Sequence, residues 1–329
     1  MRRREFITLL GGAAVAWPLA ARAEQPGKVY RVGFLSLGSS DGPVAVMTMN
    51  GLGQGLTRRG YSVGTNLVIE GRFADGHADR LPGLAKELVD SGFDLIIAFT
   101  YLAALAAKQA TTTVPIVALD AGDVVETGLV PSLSRPDGNL TGISDMTSEL
   151  STKRLGLLKT AVPDLKQVAM LYNAADTGMT ARYRAAAAAA ATVGIGVQPL
   201  AVREPNDFDP AFAAMTAEMP GGILMVTDAL TNLNRKQVIE FAAAHRVPAI
   251  YEYEYFVREG GLMSYGAERS EITEAMNNVI DRILKGAKPA DLPFEQPTRF
   301  NFVVNLQTAN ALGLVMPRSM LMLADQVIE

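Results

Sequence analysis

Short apolar runs alternate with amphipathic stretches along most of this chain. YRVGFL at 30–35 is a continuous buried-strand pattern, 36–43 is a Gly/Ser-rich loop, and 44–59 keeps helical spacing up to Gly60. A strand pattern returns at 66–72 and a helical one at 81–89, stopped by Ser91 and Gly92. FDLIIAF at 93–99 then reads as a strand, 102–110 as a helix, and 114–119 as a strand whose Pro115 fits at its beginning. Strands separated by helices of this length predict parallel βαβ units in a doubly wound sheet. Asp137, Gly138 and Asn139 mark a turn before LTGIS at 140–144, which is expected to be a strand crossing into a second unit. There the alternation restarts: helices at 149–161, 180–193, 210–218 and 234–245 interleave with strands at 167–172, 195–200, 222–226 and 248–251. The alanine run at 185–191 keeps helical phase and is expected to form a tightly packed helix face.

The stretch PAIYEYEYFVREGGLMSYG at 248–266 organises the rest. It reads as a strand running into a tyrosine-rich pocket wall, then a hinge at Gly260 and Gly261, where free φ angles let the chain turn. After it come a strand at 262–265, a helix at 271–284, a link containing Pro289, Pro293 and Pro297, a strand at 299–304 and a final helix from Gln307. These are too few elements for a third domain. The economical arrangement is an α/β protein of two doubly wound parallel-sheet lobes joined by a three-crossing hinge: 28–142 plus 264–296 in one lobe, 143–263 plus 297–329 in the other.

With 329 residues, 49% of them hydrophobic and 19% charged, the chain has the material for two cores. Its start stands apart. Arg2, Arg3 and Arg4 precede an apolar run at 6–19 and the small-x-small triplet Ala21-Arg22-Ala23, which together predict a cleavable export signal at 1–23. The twin arginines and the weakly apolar run suit the twin-arginine route, with an ordinary secretory signal as the alternative; the apolar run is shorter than the roughly 20 residues a span needs. Loss of 1–23 removes Arg2, Arg3, Arg4, Arg22 and Glu5, a net +3, and takes the formal charge from −4 to −7. An acidic chain of that kind is a poor nucleic-acid binder. The absence of cysteine leaves neither a lipid-anchored thiol nor a disulfide framework, so a free periplasmic protein is expected.

Several motifs carry a resemblance: RRREFITLLGGAAVAWPLAARA, RVGFLS, LAALAAK, VPIVAL, TGLVPSLSRPDGNLTGI at 127–143, KRLGLLK, the 248–266 stretch, RILKGAKPADLPFEQPT and NLQTANALGL. Across essentially the whole chain this resembles the substrate-binding proteins of ABC uptake systems with a type I periplasmic binding fold, a family abundant in alphaproteobacteria. The resemblance implies a cleft that closes on a small molecule, a membrane permease with its ATPase as partners, and no catalysis. A sensory lobe feeding a chemoreceptor or sensor kinase would use the same fold. A monomer is expected.

Ligands in such sheets bind beyond the carboxyl ends of the strands. Ser36, Ser39 and Ser40 offer hydroxyls and amides suited to a carboxylate, or form a plain turn. Thr100 and Tyr101 sit where a strand meets a helix; Thr100 either faces a ligand or caps that helix, and Tyr101 departs from the small residues that relatives carry there. Asp120, Asp123 and Glu126 follow the fourth strand, and the resemblance favours Asp123 near the cleft. In the second lobe Asn173 and Asp228 end strands; Asp228 is the strongest single candidate for a polar ligand group, with helix capping as its alternative. Tyr253 and Tyr255 are candidates for stacking on an apolar or aromatic side group, although strand alternation would turn Tyr251, Tyr253 and Tyr255 to different faces. The expected ligand is a small organic acid or amino acid. His77 and His245 lie far apart and form no metal-binding spacing, and GLGQG at 51–55 lies inside a helix and lacks the nucleotide-binding pattern, so no cofactor or metal is expected.

Overall fold

The structure is a computed structural model, described here for residues 27–144 and 147–329. The export signal expected at 1–23 lies outside the described residues, as do 145–146.

The first unit runs β1 (Tyr30–Ser36), α1 (Pro43–Thr57), β2 (Leu67–Phe73), α2 (Leu81–Asp90), β3 (Leu95–Phe99), α3 (Tyr101–Ala110), β4 (Ile116–Leu119) and β5 (Leu140–Ile143). All five strands are parallel in the order β2-β1-β3-β4-β5. β3 and β4 are buried throughout, as fits strands covered on both faces.

The second unit runs α4 (Thr147–Ala161), β6 (Gln167–Asn173), α5 (Thr177–Thr192), β7 (Gly196–Val202), α6 (Phe208–Ala217), β8 (Ile223–Met225), α7 (Ala229–Leu233), α8 (Arg235–Ala244), β9 (Ala249–Tyr251), α9 (Glu254–Arg258) and β10 (Met263–Ala267). Its strands stand in the order β7-β6-β8-β9-β10, the same winding as the first sheet. Both sheets therefore reverse strand order at one point, β1/β3 in one and β6/β8 in the other, and a crevice opens there.

The tail corrects two expectations. The strand expected to return to the first sheet at 262–265 is β10, which pairs parallel with β9 and antiparallel with β11 (Phe300–Asn305) inside the second sheet. Gly261 permits this, since a Cβ there would lie 2.7 Å from the Tyr251 ring and 2.8 Å from the Phe256 carbonyl. The chain goes back to the first unit only afterwards, as α10 (Arg269–Leu284), which packs on α1: Asn277 Nδ2 donates to the Gly51 carbonyl, and a Cβ on Gly55 would overlap Asn277. The GLGQG glycines thus serve a close helix–helix crossing. The single final helix is instead α11 (Leu306–Ala311) and α12 (Arg318–Leu323), separated where Gly313 takes φ +74° and Pro317 caps the second helix, and β12 (Gln326–Ile328) then closes the edge beside β11. β5 likewise belongs to the first sheet, with Ile143 bridging to Glu295, so the crossing follows it.

Candidate functional site

The carboxyl ends of the two sheets face each other, and the lobes touch. A Cβ on Gly76 would lie 2.8 Å from Pro205 of the second unit, Gly122 lies against Gly178, and Tyr253 reaches over to Asp120. The clamp is closed.

On the first lobe, Ser36 Oγ accepts from the Gly38 amide at 3.0 Å, so it shapes the β1 turn; Ser39 is half-buried and Ser40 exposed. A small cavity of about 20 Å³ lies between this turn, with Ser39 and Phe99, and the Ala229–Leu233 helix opposite. Thr100 is fully buried with φ +77° and ψ 166°, a region that β-branched residues avoid. Its hydroxyl makes no cap bond and has no partner among the described residues, and it stands at the start of α3, where the first-turn amides lack helical partners. Tyr101 is buried in α3. Asp123 is exposed, and its Oδ1 accepts from the amides of Val125 and Glu126, so it orders its own loop. Among the three carboxylates after β4, Asp120 is the one at the other lobe: Tyr253 Oη donates to its Oδ2 at 2.8 Å.

On the second lobe, Asp228 is buried and caps α7; its Oδ1 accepts from the Thr231 amide and hydroxyl at 2.8 and 2.9 Å, and its Oδ2 from Asn173 Nδ2 at 2.7 Å. Asn173 Oδ1 in turn accepts from the Ala175 amide. Asp228 and Asn173 thus form one locked unit. Asp176, which the sequence reading passed over, caps α5 through Oδ1 while its Oδ2 is buried without a partner; the Asp-Thr-Gly ahead of the helical run was the available signal. Thr227 Oγ1 is also buried, with no partner among the described residues. Tyr253 and Tyr255 do not alternate, because the chain turns helical at Glu254; Tyr253 stands at the N-cap position of α9, without a side-chain cap bond, and Tyr255 lies within the helix, with ring centroids 5.7 Å apart and planes 16° from parallel. Tyr255 Oη donates to Asn232 Oδ1 at 3.2 Å.

Behind the tyrosines, Glu252 pairs with Arg154 and Arg182, each at 3.0 Å, and all three are buried. Arg182 also donates to the Thr227 carbonyl and Arg154 to that of Tyr265. Burial pushes the Glu252 carboxyl up, but the two guanidiniums outweigh it and hold the pKa below the ordinary value. The aspartates go the other way. Burial raises Asp228 against the bonds it accepts, and burial with the nearby Asp228 charge pushes Asp176 up to about 7. Among the described residues no group of three or more His, Cys, Asp or Glu has a metal-binding arrangement, and no helix is long and apolar enough to cross a membrane.

Two switch points facing each other across a hinged crevice, lined by amides, hydroxyls, carboxylates and a tyrosine pair, define a two-lobed receptor for a small molecule, of the type I periplasmic binding class. The sequence model for ABC transporter substrate binding proteins matches residues 39–328, and the chain belongs to that family. It is 26% identical over 260 residues to a tyrosine-binding protein of Clostridioides difficile, covering 79% of this chain and 74% of that one. Among solved structures it is similar to an ABC domain from Streptococcus pneumonia in complex with L-Trp, at 26% identity and TM-score 0.84 over 92% of this chain and 100% of the other. A conserved domain protein from Vibrio cholerae gives 25% identity and TM-score 0.85 over 91% and 100%. Members of the family bind small-molecule ligands and work with ABC transporter permeases.

Proposed function

We propose that this chain captures an amino acid with an aromatic or large apolar side group and delivers it to an ABC permease, working as a non-catalytic monomer in the periplasm after export by its twin-arginine-type signal. The observation that carries the ligand class is the stacked Tyr253–Tyr255 pair at the junction of the lobes, where Tyr253 reaches Asp120 of the first lobe. The tyrosines offer a flat apolar wall. The α3 amides, the Thr100 hydroxyl and Ser39 suit a carboxylate, since a helix start presents unpaired N–H groups and a partial positive charge. The locked Asp228–Asn173 unit forms the polar floor opposite. Relatives described as tyrosine-binding and as an L-Trp complex support the same class.

The test is a thermal-shift panel on residues 24–329 with L-tyrosine, L-tryptophan, L-phenylalanine, L-leucine, benzoate and ribose. Ligand at 100 times its Kd adds about 2.7 kcal/mol, enough to raise Tm by a few degrees. Shifts with the aromatic amino acids and none with ribose are expected; the reverse pattern overturns the assignment. Trp17 is the only tryptophan and lies within the signal, so indole emission from an L-tryptophan complex of residues 24–329 would report the ligand alone.

A further inference from the structure

A ligand with an ammonium group needs a carboxylate whose oxygen the cleft can reach. Asp228 is committed to Thr231 and Asn173 through both oxygens, and Asp176 is enclosed at the start of α5. Asp123 and Glu126 are exposed on the loop beyond. Asp120 differs from all of these. It follows β4 directly, takes φ +49°, which aspartate tolerates better than most residues, and stays partly exposed although it lies against the second lobe. Its Oδ2 accepts from Tyr253 Oη at 2.8 Å, while Oδ1 has no hydrogen-bond partner among the described residues.

The surroundings fix this carboxylate in place. The Arg269 guanidinium lies 5.1 Å over the Tyr253 ring, and Tyr255 stacks on its other neighbour side at 5.7 Å, so the phenol that holds Asp120 is itself held. Burial raises the Asp120 pKa despite the pull of Arg269, and the Glu252 charge adds to the rise. Arg182 and the bond from Tyr253 also pull it down, and a cationic ligand group at the open Oδ1 would offset the burial further.

The geometry points to Asp120 as the acceptor of the ligand's ammonium group, with Oδ1 taking the N–H while Oδ2 remains fastened to Tyr253. The assignment rests on the amino-acid reading of the cleft. It also places the ammonium beside the tyrosine wall and on the same lobe as α3, where the neighbouring carboxylate of an α-amino acid would find its amides.

Asp120→Asn keeps an acceptor for Tyr253 but removes the charge, Tyr253→Phe removes the bond between lobes but keeps the charge, and Asp120→Ser is a smaller second replacement should the first misfold. Each is titrated calorimetrically with L-tyrosine, with tyramine, which lacks the carboxylate, and with 3-(4-hydroxyphenyl)propanoate, which lacks the ammonium. Asp120→Asn and Asp120→Ser are expected to weaken L-tyrosine and tyramine about 10–100-fold, the usual effect of losing a charge-assisted bond, and to spare the propanoate. Tyr253→Phe should weaken all three by a common factor. Equal weakening of the propanoate by the Asp120 variants, or undiminished binding of L-tyrosine, overturns the assignment while leaving the amino-acid reading standing. Failure of wild type to bind any of the three probes overturns both.

Discussion

Thr100 holds a backbone conformation that costs a β-branched residue roughly 1–3 kcal/mol, and it does so with a buried, unpartnered hydroxyl beside the start of α3. Relief of that strain should be visible: Thr100→Gly is expected to stabilise the ligand-free protein by up to about 1 kcal/mol in urea unfolding while weakening L-tyrosine binding, and a variant that loses stability would show that the strain is compensated locally. Asp176 predicts a pH effect. Its pKa of about 7 in the fold lies above the ordinary 3.8, so between those values the folded state keeps a proton that the unfolded chain has released, and its contribution to stability falls as pH rises. Wild-type Tm should therefore decline more steeply between pH 5 and pH 7.5 than that of Asp176→Asn; parallel curves would remove the effect. At this scale the sequence was only partly readable. Ser36, Thr100, Asn173 and Asp228 fall at strand ends that periodicity locates, and all four stand at the switch points. The choice between Asp120 and Asp123 was not open to pattern reading, because it depends on one left-handed residue and on a tyrosine 133 positions away.

Among the elements, β9 and the turn after it do most to set the site. Glu252 sits one residue past β9 and gathers Arg154 from α4 and Arg182 from α5, tying the second sheet to the helices on its face. Removing the central charge leaves two buried cations facing each other. Glu252→Gln should cost about 3–5 kcal/mol in urea unfolding, and a loss under 1 kcal/mol would mean that water reaches the arginines. Runs such as FDLIIAF and VPIVAL announced their strands because strands covered on both faces must be apolar throughout. What they could not announce was partnership. MSYGA reads the same whether it joins one sheet or the other, and its place beside β9 and β11 follows from a tight turn at Gly261 and from a strand that begins only at Phe300.

The whole molecule is a closed clamp, and its closure depends on small residues where the lobes meet. A Cβ on Gly178 would lie 3.6 Å from the Ala121 carbonyl and 3.7 Å from Thr127, so a large side chain there would hold the lobes apart. Gly178→Phe is expected to lower L-tyrosine affinity at least tenfold and to abolish the ligand-induced decrease in radius of gyration by X-ray scattering; an unchanged decrease would mean that closure bypasses this contact. A ligand shifts such an equilibrium only by its preference for the closed form. The return of the chain as α10 has a consequence for how the protein is made. Because α10 covers the first unit from a position more than a hundred residues after β5, that flank of the first sheet cannot gain its cover during synthesis until Leu284 has been added and has left the ribosome.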